Sequence, residues 1–487
     1  MFKSLLHSLG LVFAGALLSC SHSDSKNSGQ QTPSNAKPNI VFIMADDLGY
    51  GDLSCYGQKR FSTPNIDRLA QQGMRFTSFY AGSTVCAPSR STLLTGLHTG
   101  HTPIRGNKEV QPEGQWPLPD SSFTLAEYLK TLGYTTGAFG KWGLGAPGSA
   151  GDPIRQGFDV FYGYNCQRLA HNYYPDHLWS NNQKVLLSGN ADGLNGQYAP
   201  DLIHEQAIEF IRDNQSGPFF LYYPTTIPHA ELLIPDSLLI RYRDQFLPEK
   251  SYQGVDSGDH FREGAYGSQA ECHAAFAAMV THLDNQVGDI VRIIDELGLG
   301  SNTIIFFTSD NGPHLEGGAD PDYFDSNGPY RGYKRDLTEG GIRVPMIVRW
   351  TGRIKPGTES DLPLAFWDIL PTVAALNQSS FGGDGISFVP ALTGQGEQSV
   401  HTNLYWEFHE MKGRVAIRQG NWKLIRNDLT ADTPGSWELY DLSTDPGETQ
   451  NVADGHPDVV RDLEAQIAAA HQDSEIFPLS GSQILGR

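Results

Sequence analysis

Two short, unbroken apolar runs, each ending in an acidic turn, constrain this chain more than any other feature. Asn39-Ile40-Val41-Phe42-Ile43-Met44 leads into Ala45-Asp46-Asp47, and Thr303-Ile304-Ile305-Phe306-Phe307-Thr308 leads into Ser309-Asp310-Asn311. A strand that is apolar on both sides of its pleat has no face to give to water, so it belongs in a sheet covered on both sides. Residues 219–223 and 344–348 have the same texture. Between these runs, residues 124–132 and 277–297 place apolar side chains at helical spacing. The alternation predicts an α/β fold, a large and mostly parallel sheet sandwiched by helices. Ligands in such sheets gather beyond the carboxyl ends of the strands. The turns holding Asp46, Asp47, Asp310 and Asn311 are therefore a candidate site.

Beyond about residue 398 the texture changes. Residues 404–408, 414–417 and 422–425 read as strands joined by Gly-containing turns, and 457–470 as a closing helix. They predict a smaller antiparallel sheet with one helix, and a division into 38–398 and 399–487. At the other end, Lys3 precedes a short apolar run, residues 9–18, too brief for a membrane span of about 20 residues. It reads as an export signal over 1–19. The run closes on Leu17-Leu18-Ser19-Cys20, which resembles a bacterial lipobox with Cys20 as the lipidated residue. Residues 20–37, rich in Ser, Asn, Gln and Pro, read as a tether. The expected location is the periplasm or cell surface of a bacterium, with the membrane engaged only through that anchor.

The formal net charge of −20 argues against nucleic acid, which needs a basic face. It leaves an anionic small substrate open, because salt screens a distant acidic surface within roughly 8–10 Å. Of five cysteines, Cys55, Cys166 and Cys272 show no metal-type spacing and read as small buried apolar residues. Gly143, Gly145 and Gly148 match a dinucleotide-binding spacing, but Pro147 and Pro153 deny it the helix it needs. His204-Glu205 lacks the second His of a zinc-protease motif.

The most specific segment is Cys86-Ala87-Pro88-Ser89-Arg90-Ser91-Thr92-Leu93-Leu94-Thr95-Gly96. Pro88 suits the first turn of a helix, which places Cys86 at an N-terminus, where backbone N–H groups favour negative charge. Arg90, one turn on, faces the same region. The segment resembles the signature of the type I sulfatases, Cys-x-Pro-Ser-Arg followed by Leu-Thr-Gly, on an alkaline-phosphatase-like fold. The resemblance implies that Cys86 is oxidised to formylglycine by a formylglycine-generating enzyme. The hydrated aldehyde then attacks sulfur, and its second hydroxyl allows sulfate to be expelled.

The same resemblance extends over residues 38–453. Asp46, Asp47, Asp310 and Asn311 fall where the family holds Ca²⁺, with the Cys86-derived oxygen as a further ligand; oxygen donors suit such a hard cation. Gly140-Lys141-Trp142 and Tyr333-Lys334 are similar to segments whose lysines bind sulfate, and Ile227-Pro228-His229 to one whose His serves the leaving oxygen as general acid. Gly143 departs from the pattern, since many members have a His there; His314 is the candidate to replace it. His171, His314 and His409 are expected sugar contacts, and the branch resembled acts on sulfated glycans, with O4 of galactose or N-acetylgalactosamine as the expected position. Two other readings compete: a phosphatase or phosphodiesterase of the same superfamily, and a sulfated-glycan-binding protein without activity.

Overall fold

The computed structural model describes residues 37–258 and 260–486. The export signal, Cys20 and residues 20–36 of the tether lie outside the described residues. The main sheet and its margins use β1 (Asn39–Ala45), β2 (Met74–Phe76), β3 (Phe79–Tyr80), β4 (Thr135–Lys141), β5 (Val160–Tyr164), β6 (His177–Ser180), β7 (Gln183–Leu186), β8 (Phe219–Pro224), β9 (Thr303–Ser309), β10 (Met346–Arg349), β11 (Thr358–Ser360) and β12 (Leu364–Ala365). Ten of them form one sheet in the order β11-β2-β10-β9-β1-β8-β4-β5-β6-β7, and β3 pairs with β12 apart from it. The centre, from β9 to β5, is parallel; β10, β6 and β7 run antiparallel to their neighbours.

Every residue of β1 and β9 is buried, as their apolar runs require. Val41 and Ile43 pack on one face with Leu69, Ile203, Phe210 and Leu283. These come from helices Pro64–Gln72, Ala199–Asp213 and Cys272–Glu296. Ile40, Phe42 and Met44 pack on the other with Leu93, Leu129 and Leu370, from helices Cys86–Thr95, Leu125–Thr131 and Ile369–Leu376. Each fully buried large aliphatic contributes about 1.5–3 kcal/mol.

The strand expected over 344–348 begins later, at Met346, because Pro345 has no N–H for the ladder. The helix expected over 277–297 begins at Cys272. No helix follows Gly143, Gly145 and Gly148. Among the described residues, no helix is long and apolar enough to cross a membrane, and Cys55, Cys86, Cys166 and Cys272 are all free thiols.

The second sheet is antiparallel, β13 (Leu404–Phe408), β14 (Arg414–Gln419), β15 (Trp422–Arg426) and β16 (Trp437–Asp441) in sequence order. Its one face packs on Leu463 and Ile467 of helix Pro457–Ala470. Its other face shares an apolar cluster with Tyr80, Val85, Ile342 and Trp367, so both sheets belong to one compact unit. Lys423 of β15, wholly buried, lies 2.8 Å from Glu339 Oε1 and 2.9 Å from Glu448 Oε1. That ionic knot ties the second sheet to the segment just after Lys334.

Candidate active site

Parallel register builds the centre of the site. Ala45 pairs with Ser309 across β1 and β9, so the two acidic turns emerge side by side. The Asp47 amide donates to Asp310 Oδ1 over 3.1 Å. Asp47 itself takes a left-handed backbone, φ 61°, a conformation that Asp tolerates better than most residues.

Helix Cys86–Thr95 delivers its first residue to these turns and is buried along its whole length. Cys86 Sγ lies 3.4 Å from Asp46 Oδ1 and 3.3 Å from Lys141 Nζ. Burial, and then the Asp46 charge, push the thiol well above its ordinary pKa, so an unmodified Cys86 is a neutral thiol and a poor nucleophile. Arg90, one turn further on, donates to Asp310 Oδ2 over 2.7 Å and lies 3.6 Å from Asp46 Oδ2. Lys141, the last residue of β4, donates to Asp46 Oδ2 over 2.7 Å. Gly140 before it has φ 139°, and a Cβ there would stand 1.9 Å from Pro224 O; only glycine lets β4 pass this close to β8 on its way to Lys141.

On the far side, Lys334 Nζ lies 2.7 Å from Asp47 Oδ2 and 3.0 Å from His229 Nε2. Three carboxylates, of Asp46, Asp47 and Asp310, thus face three cations, Arg90, Lys141 and Lys334. Burial works against the Asp46 charge, but Lys141, Arg90 and Lys334 overcome it and hold the carboxyl below its usual value. Burial, then Lys334 and Lys141, drive His229 well below the ordinary His range. Its Nδ1 faces the carbonyl of Ala230 and so carries the ring hydrogen; Nε2 accepts from Lys334.

Ligand atoms of Asp46, Asp47, Cys86 and His229 all lie within 4.8 Å of one another. Asn311 Nδ2 donates to Asp47 Oδ1 over 2.6 Å, while Asn311 Oδ1 is buried without a partner. An orphaned carbonyl oxygen beside clustered carboxylates fits a hard cation such as Ca²⁺.

Known proteins with similar sequences and folds bear on this arrangement. Residues 38–379 match the family model described as Sulfatase. The chain belongs to the sulfatase family. Residues 329–473 of this sulfatase also match the model for the C-terminal part of N-sulphoglucosamine sulphohydrolase. Arylsulfatase A of Homo sapiens is 32% identical, the alignment covering 90% of this chain and 89% of that protein. N-acetylgalactosamine-6-O-sulfatase of Bacteroides thetaiotaomicron is 30% identical, with 95% and 98% covered. A solved structure described as Ps i-CgsB in complex with k-i-k-neocarrahexaose is 26% identical, with a TM-score of 0.73 and coverage of 90% and 94%. The enzyme is a sulfatase, and sulfate ester hydrolysis is its reaction class.

Of the expected sugar contacts, the fold brings His171 and His314 to the site. Both rings stack on His229, at 5.0 and 5.4 Å between centroids. His409 is not brought there. Its Nε2 lies 2.9 Å from Glu407 Oε1, in a buried network with Arg105 and His471 that braces the end of β13.

The sulfatase also has site residues that sequence reasoning missed. Tyr266 packs at a tilt against His171, 5.0 Å between centroids, and His229, 6.2 Å, with interplanar angles of 45° and 54°. Glu316 lies 3.8 Å from Lys334 Nζ and pairs with Arg335. Both sit in loops, where no periodicity marks them. At Gly143, φ is 76° and a Cβ would stand 2.1 Å from Gln167 Nε2. The Gln167 amide therefore fills the space beside a residue that has no side chain.

Proposed function

We propose that this sulfatase removes sulfate from a carbohydrate, with Cys86 carried as formylglycine and one Ca²⁺ held by Asp46, Asp47, Asp310 and Asn311. The observation that carries the reading is the position of Cys86 Sγ, between Asp46 Oδ1 and Lys141 Nζ at a buried helix N-terminus. That sulfur marks the place of the aldehyde-hydrate oxygens in the matured enzyme. Formylglycine supplies a geminal diol at this point, and the cation, when bound, neutralises a sulfate oxygen and acidifies the attacking hydroxyl.

The side chains of this chain account for the rest. Arg90 and Lys141 hold Asp310 and Asp46 in place and add fixed positive charge where the sulfate gains negative charge. Asp46 Oδ1 is the carboxylate oxygen next to the nucleophile and takes its proton. Lys334 and His229 share one proton over 3.0 Å beside the leaving oxygen. A bound sulfate offsets the lysine charges that depress His229, so substrate itself raises the basicity of Nε2 and readies the pair to protonate the departing sugar oxygen. His314, the candidate to replace a His at 143, has its Nδ1 3.2 Å from the Glu316 amide and 3.3 Å from Glu316 Oε2.

Galactose or N-acetylgalactosamine is the proposed sugar, with O4 as the position. Assaying their 4- and 6-sulfates beside an aryl sulfate and an aryl phosphate tests the reading. Turnover of a 4-sulfate supports it, turnover of the 6-sulfate alone moves the position, and faster phosphate hydrolysis contradicts the reaction class. Export, a lipid anchor at Cys20 and maturation by a formylglycine-generating enzyme belong to the same proposal.

A further inference from the structure

Helix Cys86–Thr95 starts from Val85, whose side chain has no oxygen to offer the amides of the first turn. Those amides have no partner within the helix. Pro88 has no N–H, and the Ser89 amide is the first to close a helical bond, to Val85 O over 3.3 Å. The amide of Ala87, the residue next to Cys86, is met from outside: it donates to Asn107 Oδ1 over 3.1 Å. A backbone N–H can only donate, so the atom it meets is the oxygen, and the orientation of the Asn107 carboxamide is fixed.

Asn107 is held in turn by the second sheet. Its backbone N–H donates to Glu410 Oε1 over 2.8 Å, and Glu410 stands in the turn between β13 and β14. That turn is pinned by bonds of its own, from the Gly413 amide to Glu410 O over 3.0 Å and from the Thr430 amide to Lys412 O over 2.8 Å. Two residues before Asn107, the Arg105 guanidinium donates to Glu407 Oε1 of β13 over 2.7 Å and to Gln472 O over 2.6 Å. Segment 105–107 is therefore anchored at both its ends to the end of β13 and the turn after it. The buried network of Glu407 with His409 and His471 is the footing of that anchor.

We infer that Asn107 is a positioning residue for the reaction, through which the second sheet sets the place of residue 86. The line runs from Glu410 to Asn107 to the Ala87 nitrogen, which is bonded to the carbonyl carbon of residue 86. Cys86 Sγ meets Asp46 and Lys141 at 3.4 and 3.3 Å, so a small shift of the first helical turn takes it away from both. A misplacement of about 1 Å can cost about 100-fold in rate. The inference rests on the reading of residue 86 as the nucleophile and adds what holds it in place.

The test uses the mature full-length enzyme with Ca²⁺ and two readouts: amide hydrogen exchange in the peptide carrying residues 86–95, and kinetics on 4-nitrophenyl sulfate. Asn107→Ala removes the acceptor; Asn107→Asp keeps it. Asn107→Ala is expected to speed exchange of one amide at the start of the helix by about 10-fold. It is also expected to lower kcat by about 10–100-fold, with KM within about 2-fold. Asn107→Asp should restore the protection and most of kcat. Glu410→Ala, further from the helix, should give a weaker form of the same pattern, and it takes over the test if Asn107→Ala does not fold. Faster exchange with kcat unchanged would make Asn107 a helix cap alone and overturn the inference; a loss of kcat without faster exchange would overturn it as well. A Cys86→Ala enzyme that stays active contradicts the reading of residue 86 instead, a result independent of every Asn107 variant.

Discussion

Lys334 Nζ stands 3.0 Å from His229 Nε2, and the imidazole is the acceptor of that pair because its other nitrogen is committed to Ala230 O. In the proposed mechanism the acid is therefore the Lys334–His229 pair and not an isolated imidazolium. Lys334→Met and His229→Asn should each lower kcat/KM on a sugar sulfate by about 100-fold or more, the size of a general-acid term. On 4-nitrophenyl sulfate, whose leaving group needs little protonation, the loss should be clearly smaller. A set of aryl sulfates with graded leaving groups measures this as a steeper dependence in the variants.

Asn311 Oδ1 has no partner, and three carboxylates converge beside it, so the site should bind Ca²⁺ and gain stability from it. At one hundred times its dissociation constant, the ion adds about 2.7 kcal/mol. Thermal melts with Ca²⁺ and with a chelator should show a higher Tm with the ion, and chelation should remove activity. Asn311→Ala should raise the Ca²⁺ needed for half-maximal activity by about 10-fold or more, since even outer-sphere partners of a metal are worth that much. An unchanged titration would exclude Asn311 as a ligand.

Among the described residues, Lys423 is the only cation paired with Glu448 and one of two paired with Glu339 in the knot beneath the second sheet. Lys423→Met leaves two buried carboxylates facing each other. Breaking a buried pair on one side costs about 3–5 kcal/mol, and denaturant unfolding at neutral pH should read that loss. Because Glu339 follows closely on Lys334, activity should fall before the fold does. Burial, with Glu339 next to it, pushes the Glu448 carboxyl up to about 7, so acidification toward pH 6 should return part of the variant's stability.

His98 and His171 are both held near pKa 4, His98 mainly by burial against the pull of Asp384, and His171 by burial together with Lys141. A folded-state value below the unfolded 6.5 means that the unfolded chain takes up protons first. The stability from keeping these rings neutral is complete above about pH 6.5 and is lost as the pH falls toward 4, by up to about 3 kcal/mol for each ring. Urea midpoints from pH 7.5 to 4.5 should show the decline, and His98→Phe should flatten it.

Much of this was legible before any coordinates. β1 and β9 declared themselves because strands buried on both faces must be apolar throughout, and their acidic ends then pointed to the site. The eleven residues from Cys86 to Gly96 carry enough specific chemistry to be read alone. β4 escaped notice because Gly137 and Gly140 make it look like a turn, although those glycines are what let its neighbours approach. Tyr266, Glu316 and Gln167 were not legible, since each acts through residues far away in sequence. His409 was read from its aromatic, acidic neighbours in sequence, whereas its partner in space, Glu407, also holds Arg105 and His471.

The central claim is that the side chain at position 86 is not a thiol when the enzyme works. Mass spectrometry of the peptide spanning residue 86, taken from enzyme matured in its own host and assayed in parallel, addresses it directly. The account predicts the mass of an aldehyde or its hydrate at that residue, in a fraction that rises and falls with specific activity. A fully active sample carrying only unmodified cysteine at that position would contradict it.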